Sequence, residues 1–199
     1  MSLSIRHAQP EDVPQLVALI NSFAERNLML PRTDAAVMQA LPDWLVAEDE
    51  VDGQRRVVGC GALAALTAEM AEVRSLAVDP SQHGKGVGSV IVENLVALAR
   101  AREFRSVCAL TLRERFFVRL GFEIVDRWSV SPKLWQECIY CPKFHRCDEV
   151  AVLKSLVTQP VDEDEGNQPV AWNPLMKHAS WRQPLRLAYN RRPIRLNDE

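Results

Sequence analysis

Three glycines at alternate positions, Gly84, Gly86 and Gly88, lie within QHGKGVGSVIVENLVALAR, between a strand-like and a helix-like segment. The chain has only 8 glycines in 199 residues, so this cluster marks a place where backbone turns sharply or approaches a ligand closely. Successive N–H groups with no Cβ in the way form an anion cradle, and a helix starting there adds its dipole. Ser89 can add a hydroxyl and Lys85 a positive charge. Two familiar phosphate loops fail on spacing. A Walker A loop needs a glycine where Asp79 stands and Ser or Thr where Gly86 stands. A dinucleotide fingerprint needs a third glycine at Ser89 or Ile91. The plain alternative is a tight turn that needs only positive φ.

Just upstream, EVRSLAV carries Glu72 and Arg74. A carboxylate on a strand can act as a general base, directly or through water. Period-2 alternation puts Glu72, Arg74, Leu76 and Val78 on one face. Glu69 is a second carboxylate in the preceding turn. A purely structural Glu72–Arg74 ion pair competes with the catalytic reading. Cys138, Cys141 and Cys147 form C-x-x-C-x5-C, a spacing that suggests metal. A structural zinc needs four ligands, and only His145 is near as a fourth. Reduced thiols packed as small apolar groups are favoured, and no metal is expected.

These groups need a scaffold. Ser4–Ala8 reads as a strand. Asp12 fits an N-cap for a helix with Val13, Leu16, Val17, Ile20 and Phe23 at helical spacing. Asp34 can cap a second helix, which Pro42 ends. Trp44–Ala47 and Arg56–Leu66 flank Asp52-Gly53 as a hairpin. Glu72–Val78 is a strand, followed by the glycine loop and a helix to about Arg102. Ser106–Leu112 is a strand, and Arg115–Leu120 a short helix stopped by Gly121. Phe122–Val125 and Glu149–Leu156 close the set. After Leu156 the composition turns acidic, then rich in Trp and Arg, with Trp172 and Trp181. Residues 1–156 are therefore expected to form one domain and 157–199 an extension, either loosely attached or packing its tryptophans on the domain or on a second subunit.

The bulk properties exclude several classes. Hydrophobic content of 47% and charged content of 25% are those of an ordinary globular protein. A net charge of −2 argues against a nucleic-acid partner. No run approaches the roughly 18 apolar residues of a membrane span. The start lacks an export signal, and five cysteines is an odd count, so a cytoplasmic location is expected.

HGKGVGS after SLAVDP resembles the pyrophosphate loop of the GNAT N-acetyltransferases, with His83 where Gln or Arg is usual. FFVRLGF resembles the family's Tyr-x-x-x-Gly-Phe segment, with Phe117 at the Tyr position. INSFAERNLMLPRT, VVGCGALAALTAEMAEVRSLAV and KLWQECIYCPKFHRCDEVAVL are similar to amino-acid N-acetyltransferases of the N-acetylglutamate synthase type. The resemblance runs from about Ile5 to Leu156. It implies an α/β GNAT fold, a mixed, mostly antiparallel twisted sheet flanked by helices and splayed where the cofactor enters. It also implies acetyl-CoA as co-substrate, glutamate as the favoured acceptor and a role in arginine biosynthesis.

Roles follow from the same resemblance. Leu76, Ala77 and Val78 would lie along the pantetheine arm, with the Leu76 N–H polarising the thioester carbonyl. Such a donor contributes roughly 2.7–4 kcal/mol in kcat. His83, Gly84, Lys85, Gly86, Val87, Gly88 and Ser89 would hold the pyrophosphate. Glu72 would act as base. Phe117 cannot donate a proton, so the thiolate leaves unassisted or with water. Glutamate's two carboxylates call for fixed cations, and the candidates are Arg32, Arg74, Lys143 and Arg146. Family members often form homodimers. Competing readings are acetylation of another small amine or a protein N-terminus, and a non-catalytic acetyl-CoA sensor.

Overall fold

A computed structural model describes residues 3–51, 54–136, 138–141 and 144–157. The expected Asp52-Gly53 turn, Lys143, and Trp172 and Trp181 of the C-terminal extension lie outside the described residues. The elements are β1 (Ser4–His7), α1 (Val13–Ala24), α2 (Asp34–Gln39), β2 (Trp44–Val51), β3 (Gln54–Ala65), β4 (Met70–Val78), α3 (Val87–Ala101), β5 (Ser106–Thr111), α4 (Glu114–Arg119), β6 (Glu123–Val125), α5 (Ser131–Gln136) and β7 (Val150–Ser155). The strands form one seven-stranded sheet in the order β1-β2-β3-β4-β5-β7-β6. Every neighbouring pair is antiparallel except β4 with β5. This is the expected α/β architecture.

Two helix starts differ in detail from the sequence reading. Asp12 precedes α1, but its carboxylate does not cap the helix. It accepts from both Nη atoms of Arg6, at 2.6 and 2.9 Å, and from the Gln9 N–H at 2.7 Å. A guanidinium fork is a stronger partner than one helix amide. The cap of α2 is Thr33, whose hydroxyl accepts from the Ala36 N–H, and Asp34 is the first helical residue.

The core divides across the sheet. On one face, Val87, Ile91 and Leu95 of α3 and Phe117 of α4 pack on Leu63, Val73 and Val107. On the other, Leu16, Ile20 and Phe23 of α1 pack on Val46, Cys60 and Ala62. Leu66, Cys108, Val130 and Ala151 form a smaller third cluster. Gly59 and Gly61 let α3 lie close on β3. A Cβ on Gly59 would sit 2.8 Å from Ile91 Cδ1, and one on Gly61 would sit 3.0 Å from Leu95 Cδ1.

β4 organises the rest. Cys60 pairs with Ala77 and Ala62 with Arg74, so two steps on β3 match three on β4. The extra residue makes a bulge, and Ser75 there has a left-handed φ of 51°. The bulge resets the side-chain alternation and corrects the expected single face. Val73 packs toward α3, so Glu72 and Arg74 point to the opposite side. Beyond the bulge, Leu76 and Val78 pack toward α3 while Ala77 joins the α1 core. Pairing with β5 covers only Met70, Ala71 and Glu72, opposite Ser106, Val107 and Cys108. Past Glu72 the two strands part, which is the expected splay.

Candidate active site

A cleft of about 820 Å³ opens where β4 leaves β5. Its walls come from five places: the α1–α2 loop, β4 from Glu72 onward, the glycine loop with the start of α3, the end of β5 with α4, and the segment between β6 and β7. The volume lies within the usual range for small-molecule sites. Leu28 and Leu30 of the α1–α2 loop are exposed and line it, an apolar wall with one side to solvent.

The glycine loop divides its glycines by role. Gly84 and Gly86 have φ of 79° and 83°, and nothing lies within 4 Å of a Cβ built on either. Gly88 is in the first turn of α3, where a Cβ would make ordinary contact with Phe116 and Val78 at 3.5–3.6 Å. The N–H groups of Gly84, Gly86, Val87, Gly88 and Ser89 donate to no backbone carbonyl among the described residues. They are open donors at the start of a fifteen-residue helix, and the helix dipole adds to their attraction for an anion.

The side chains of the loop stand differently from expectation. His83 Nε2 meets the Val78 carbonyl at 2.8 Å, so that nitrogen carries the proton and ties the loop to the end of β4. Its ring stacks on Phe23 with centroids 6.3 Å apart. Lys85 folds back, with Nζ 2.9 Å from Oε1 of buried Gln82, and does not line the cleft. Attraction for an anion here comes mainly from backbone amides.

A charged cluster lies at the head of the cleft, where β4 and β5 part. Glu72 is 3% exposed. Lys133 Nζ of α5 stands 3.0 Å from Glu72 Oε1, and Arg74 Nη2 stands 2.9 Å from Oε2. The Arg74 contact is off the hydrogen-bonding direction, so Oε2 is sealed yet receives no hydrogen bond. At that distance the pair is held by charge attraction. Glu149, just before β7, lines the same cleft, and burial pushes its carboxyl up. Lys133 opposes that shift, while the charges of Glu72 and Asp148 reinforce it. The Cys147 thiol lies 3.8 Å from Glu149 Oε2.

Arg32 enters from the α1–α2 loop. Asn21 of α1 holds its backbone on both sides, accepting from the Arg32 N–H at 2.9 Å and donating to its carbonyl at 3.0 Å. Arg32 Nε donates to Ser75 Oγ at 3.1 Å. Of the expected cations, Arg32 and Arg74 line the cleft, Arg146 is exposed and does not, and Lys143 lies outside the described residues. Lys133, Glu149 and Arg127 also line it and were not singled out from sequence. Lys133 gave one signal, a lysine inside the apolar run VSPKLW. Glu149 and Arg127 gave none.

Phe117 is buried, edge-on to Phe116 and Phe122 at 5.1 and 5.2 Å, so the Tyr position of the motif is apolar packing. Cys138, Cys141 and Cys147 line the cleft as free thiols. Burial raises the Cys138 thiol. No three His, Cys, Asp or Glu side chains converge as metal ligands among the described residues. No helix among them is long and apolar enough to cross a membrane. Chemically, the cleft can hold an anionic group at the α3 end and bring a reactive centre along the open edge of β4. There it meets a cluster of carboxylates and cations.

Comparison with known proteins bears on this geometry. A family model described as an acetyltransferase (GNAT) domain matches residues 41–124. An uncharacterized N-acetyltransferase of Chlorobaculum tepidum is 33% identical over 152 residues, spanning 76% of this chain and 96% of that protein. An amino-acid acetyltransferase of Mycobacterium tuberculosis is 34% identical over 133 residues, 67% of this chain and 75% of the relative. Among solved structures, a Mycobacterium tuberculosis protein in complex with CoA and NLQ has a TM-score of 0.67 at 28% identity, covering 77% of this chain and 99% of that one. N-acetylglutamate synthase from Neisseria gonorrhoeae, complexed with coenzyme A and N-acetyl-glutamate, shares the fold, with a TM-score of 0.66 at 22% identity over 79% of this chain and 36% of that one.

Proposed function

The chain belongs to the GNAT acetyltransferase family and is an acetyl-CoA-dependent N-acetyltransferase, and from that premise we propose that its acceptor is the α-amine of an amino acid, L-glutamate above others. One observation carries the choice of acceptor. Arg32, Arg74 and Lys133 line the same cleft as the glycine loop, a set of cations suited to an acceptor that bears carboxylates. Arg113, Arg119 and Arg127 line it too, so cations outnumber the lining carboxylates Glu72, Asp148 and Glu149, a balance that disfavours a polyamine. The relative named amino-acid acetyltransferase supports the same reading. A place in arginine biosynthesis follows if glutamate is the acceptor, and residues 1–156 are the proposed catalytic domain.

In this reading the pyrophosphate of acetyl-CoA lies on the open N–H groups from Gly84 to Ser89, and the pantetheine arm runs along residues 76–78. The acceptor nitrogen attacks the thioester carbonyl, and the developing oxyanion takes a hydrogen bond from the Leu76 N–H. Collapse breaks the C–S bond and releases CoA thiolate, and the second proton, shed by the new amide nitrogen, reaches the sulfur through water, since Phe117 has no proton to give. The ammonium proton goes to a carboxylate in the cleft. Glu72 and Glu149 are the two groups suited to it, and the pH profiles of Glu72→Gln and Glu149→Gln assign the step. A general base typically contributes about 10²–10⁴-fold in rate.

The test is CoA release from acetyl-CoA by the purified full chain, across the amino acids, spermidine and a peptide. Turnover with glutamate that Arg74→Ala abolishes while acetyl-CoA still binds supports the proposal. Turnover only with a carboxylate-free amine overturns the acceptor, and tight acetyl-CoA binding with no turnover on any amine overturns catalysis itself.

A further inference from the structure

Arg127 opens the turn Arg127–Val130 after β6 and lines the cleft. Its Nε is sealed from solvent and has no hydrogen-bond partner. Its guanidinium carbon stands 5.8 Å over the Phe144 ring, a face that supports a cation without neutralising it. Among the described residues, Arg6, Arg74, Arg102 and Arg105 each stand against a carboxylate, while Arg127 makes no ion pair. Burying part of a guanidinium with a donor unfilled is unfavourable unless an anion completes it. Arg127 Nε is thus open to an anion that enters the cleft.

Two ligands could bring one: a phosphate of CoA or a carboxylate of the acceptor. The position of Arg127 favours the acceptor. It packs on Phe144, in the segment that also carries Glu149. Glu149 lies close enough to Lys133 and Glu72 for their charges to shift its protonation. That is the charged head of the cleft. The phosphate donors are at the other place, on the loop before α3.

We propose that Arg127 anchors a carboxylate of the acceptor and so sets specificity for an acidic amino acid. The inference rests on the amino-acid reading above. A guanidinium fork suits a carboxylate in two parallel contacts, which an ammonium cannot reproduce.

The experiment is steady-state kinetics of the full-length protein and of Arg127→Met and Arg127→Lys. Acceptors are glutamate and its two mono-amides, glutamine and isoglutamine. Arg127→Met is expected to raise the KM for glutamate about tenfold or more, a loss typical of one bidentate charged contact. The KM for acetyl-CoA stays unchanged, and Arg127→Lys falls between. For one of the two mono-amides, wild type and Arg127→Met become equal, because the carboxylate that Arg127 reads is already gone. Should Arg127→Met fail to fold, Arg127→Lys carries the same comparison. An unchanged glutamate KM overturns the inference while leaving the acceptor intact. A raised acetyl-CoA KM alone also overturns it and assigns Arg127 to a phosphate. Wild-type indifference to every carboxylate-bearing acceptor overturns the proposed function first, and the Arg127 assignment with it.

Discussion

Arg32 Nε donates to Ser75 Oγ across 3.1 Å, and that bond joins the α1–α2 loop to the bulge of β4. Ser75 holds a left-handed φ of 51°, which a non-glycine residue adopts at a cost. Ser75→Gly removes both the strain and the bond. The melting temperature is expected to hold or rise slightly, while the KM for the acceptor increases. Thermal melts read beside kinetics check this. A lower melting temperature with no change in KM would show that the bond serves only the fold.

The loop glycines should separate in mutation. Gly86→Ala forces a side chain into a φ of 83°, a cost of roughly 1–2 kcal/mol, and it shifts the open amides at the start of α3. Both stability and the KM for acetyl-CoA are expected to worsen. Gly88→Ala meets only ordinary contacts and gains helix propensity, so its melting temperature is expected to be unchanged or higher. Any defect in Gly88→Ala would then appear in acetyl-CoA KM alone. Equal destabilisation by the two would contradict the division of roles.

Gly59 admits α3 to the sheet. Gly59→Ala sets a Cβ 2.8 Å from Ile91 Cδ1 and is expected to cost about 1–3 kcal/mol by overpacking. Ile91→Val removes that methyl and alone costs about 0.5–1.5 kcal/mol. The double variant should be more stable than the sum of the two losses. Denaturant titrations of the four proteins measure the coupling. Strict additivity would mean that the clash is relieved elsewhere.

Burial raises the Glu149 carboxyl, so the folded protein holds that proton above the pH at which the unfolded chain releases it. In that window the native state binds more protons, and stability falls as pH rises. Glu149→Gln has no charge to desolvate. Its melting temperature relative to wild type is therefore expected to improve from about pH 4 upward, the ordinary range for glutamate. A gap that does not change with pH would show that Glu149 ionises without penalty.

Asp12 works in the opposite direction. The Arg6 guanidinium holds its carboxyl below the usual range, so its stabilisation is present above the unfolded pKa and is lost as pH falls through the folded one. Arg6→Met should destabilise strongly at neutral pH and little in acid. Acid titration of the two proteins by circular dichroism tests the sign.

Local signals in the sequence were enough for the glycine loop, the places of the strands along the chain and the C′ glycine at Gly121, where φ is 79°. These depend on neighbours a few residues apart. The bulge had no such mark: SLAV holds no Gly or Pro, and Ser75 turns left-handed because β3 fixes the register on either side. That one residue moved Leu76 and Val78 away from the face of Glu72. The charged head of the cleft was only half legible for the same reason. Glu72 and Arg74 lie two apart in one strand, but Lys133 and Glu149 reach it from a segment between strands that carries no periodic pattern. Asp12 reads as a cap because helix-end signals are local, whereas Arg6, its actual partner, comes from the neighbouring strand.

The parting of β4 from β5 also bears on solubility. A free strand edge invites another chain to add a strand, and proteins ordinarily protect such edges at the margin of a sheet. Here the free edge of residues 73–78 lies in mid-sheet, with β5 still held by β7 and walls on either side. A whole β-strand from a second molecule would have to thread that gap, whereas a single thin chain can lie in it. The geometry thus keeps a line of unpaired backbone available to a slender ligand while denying it to aggregation.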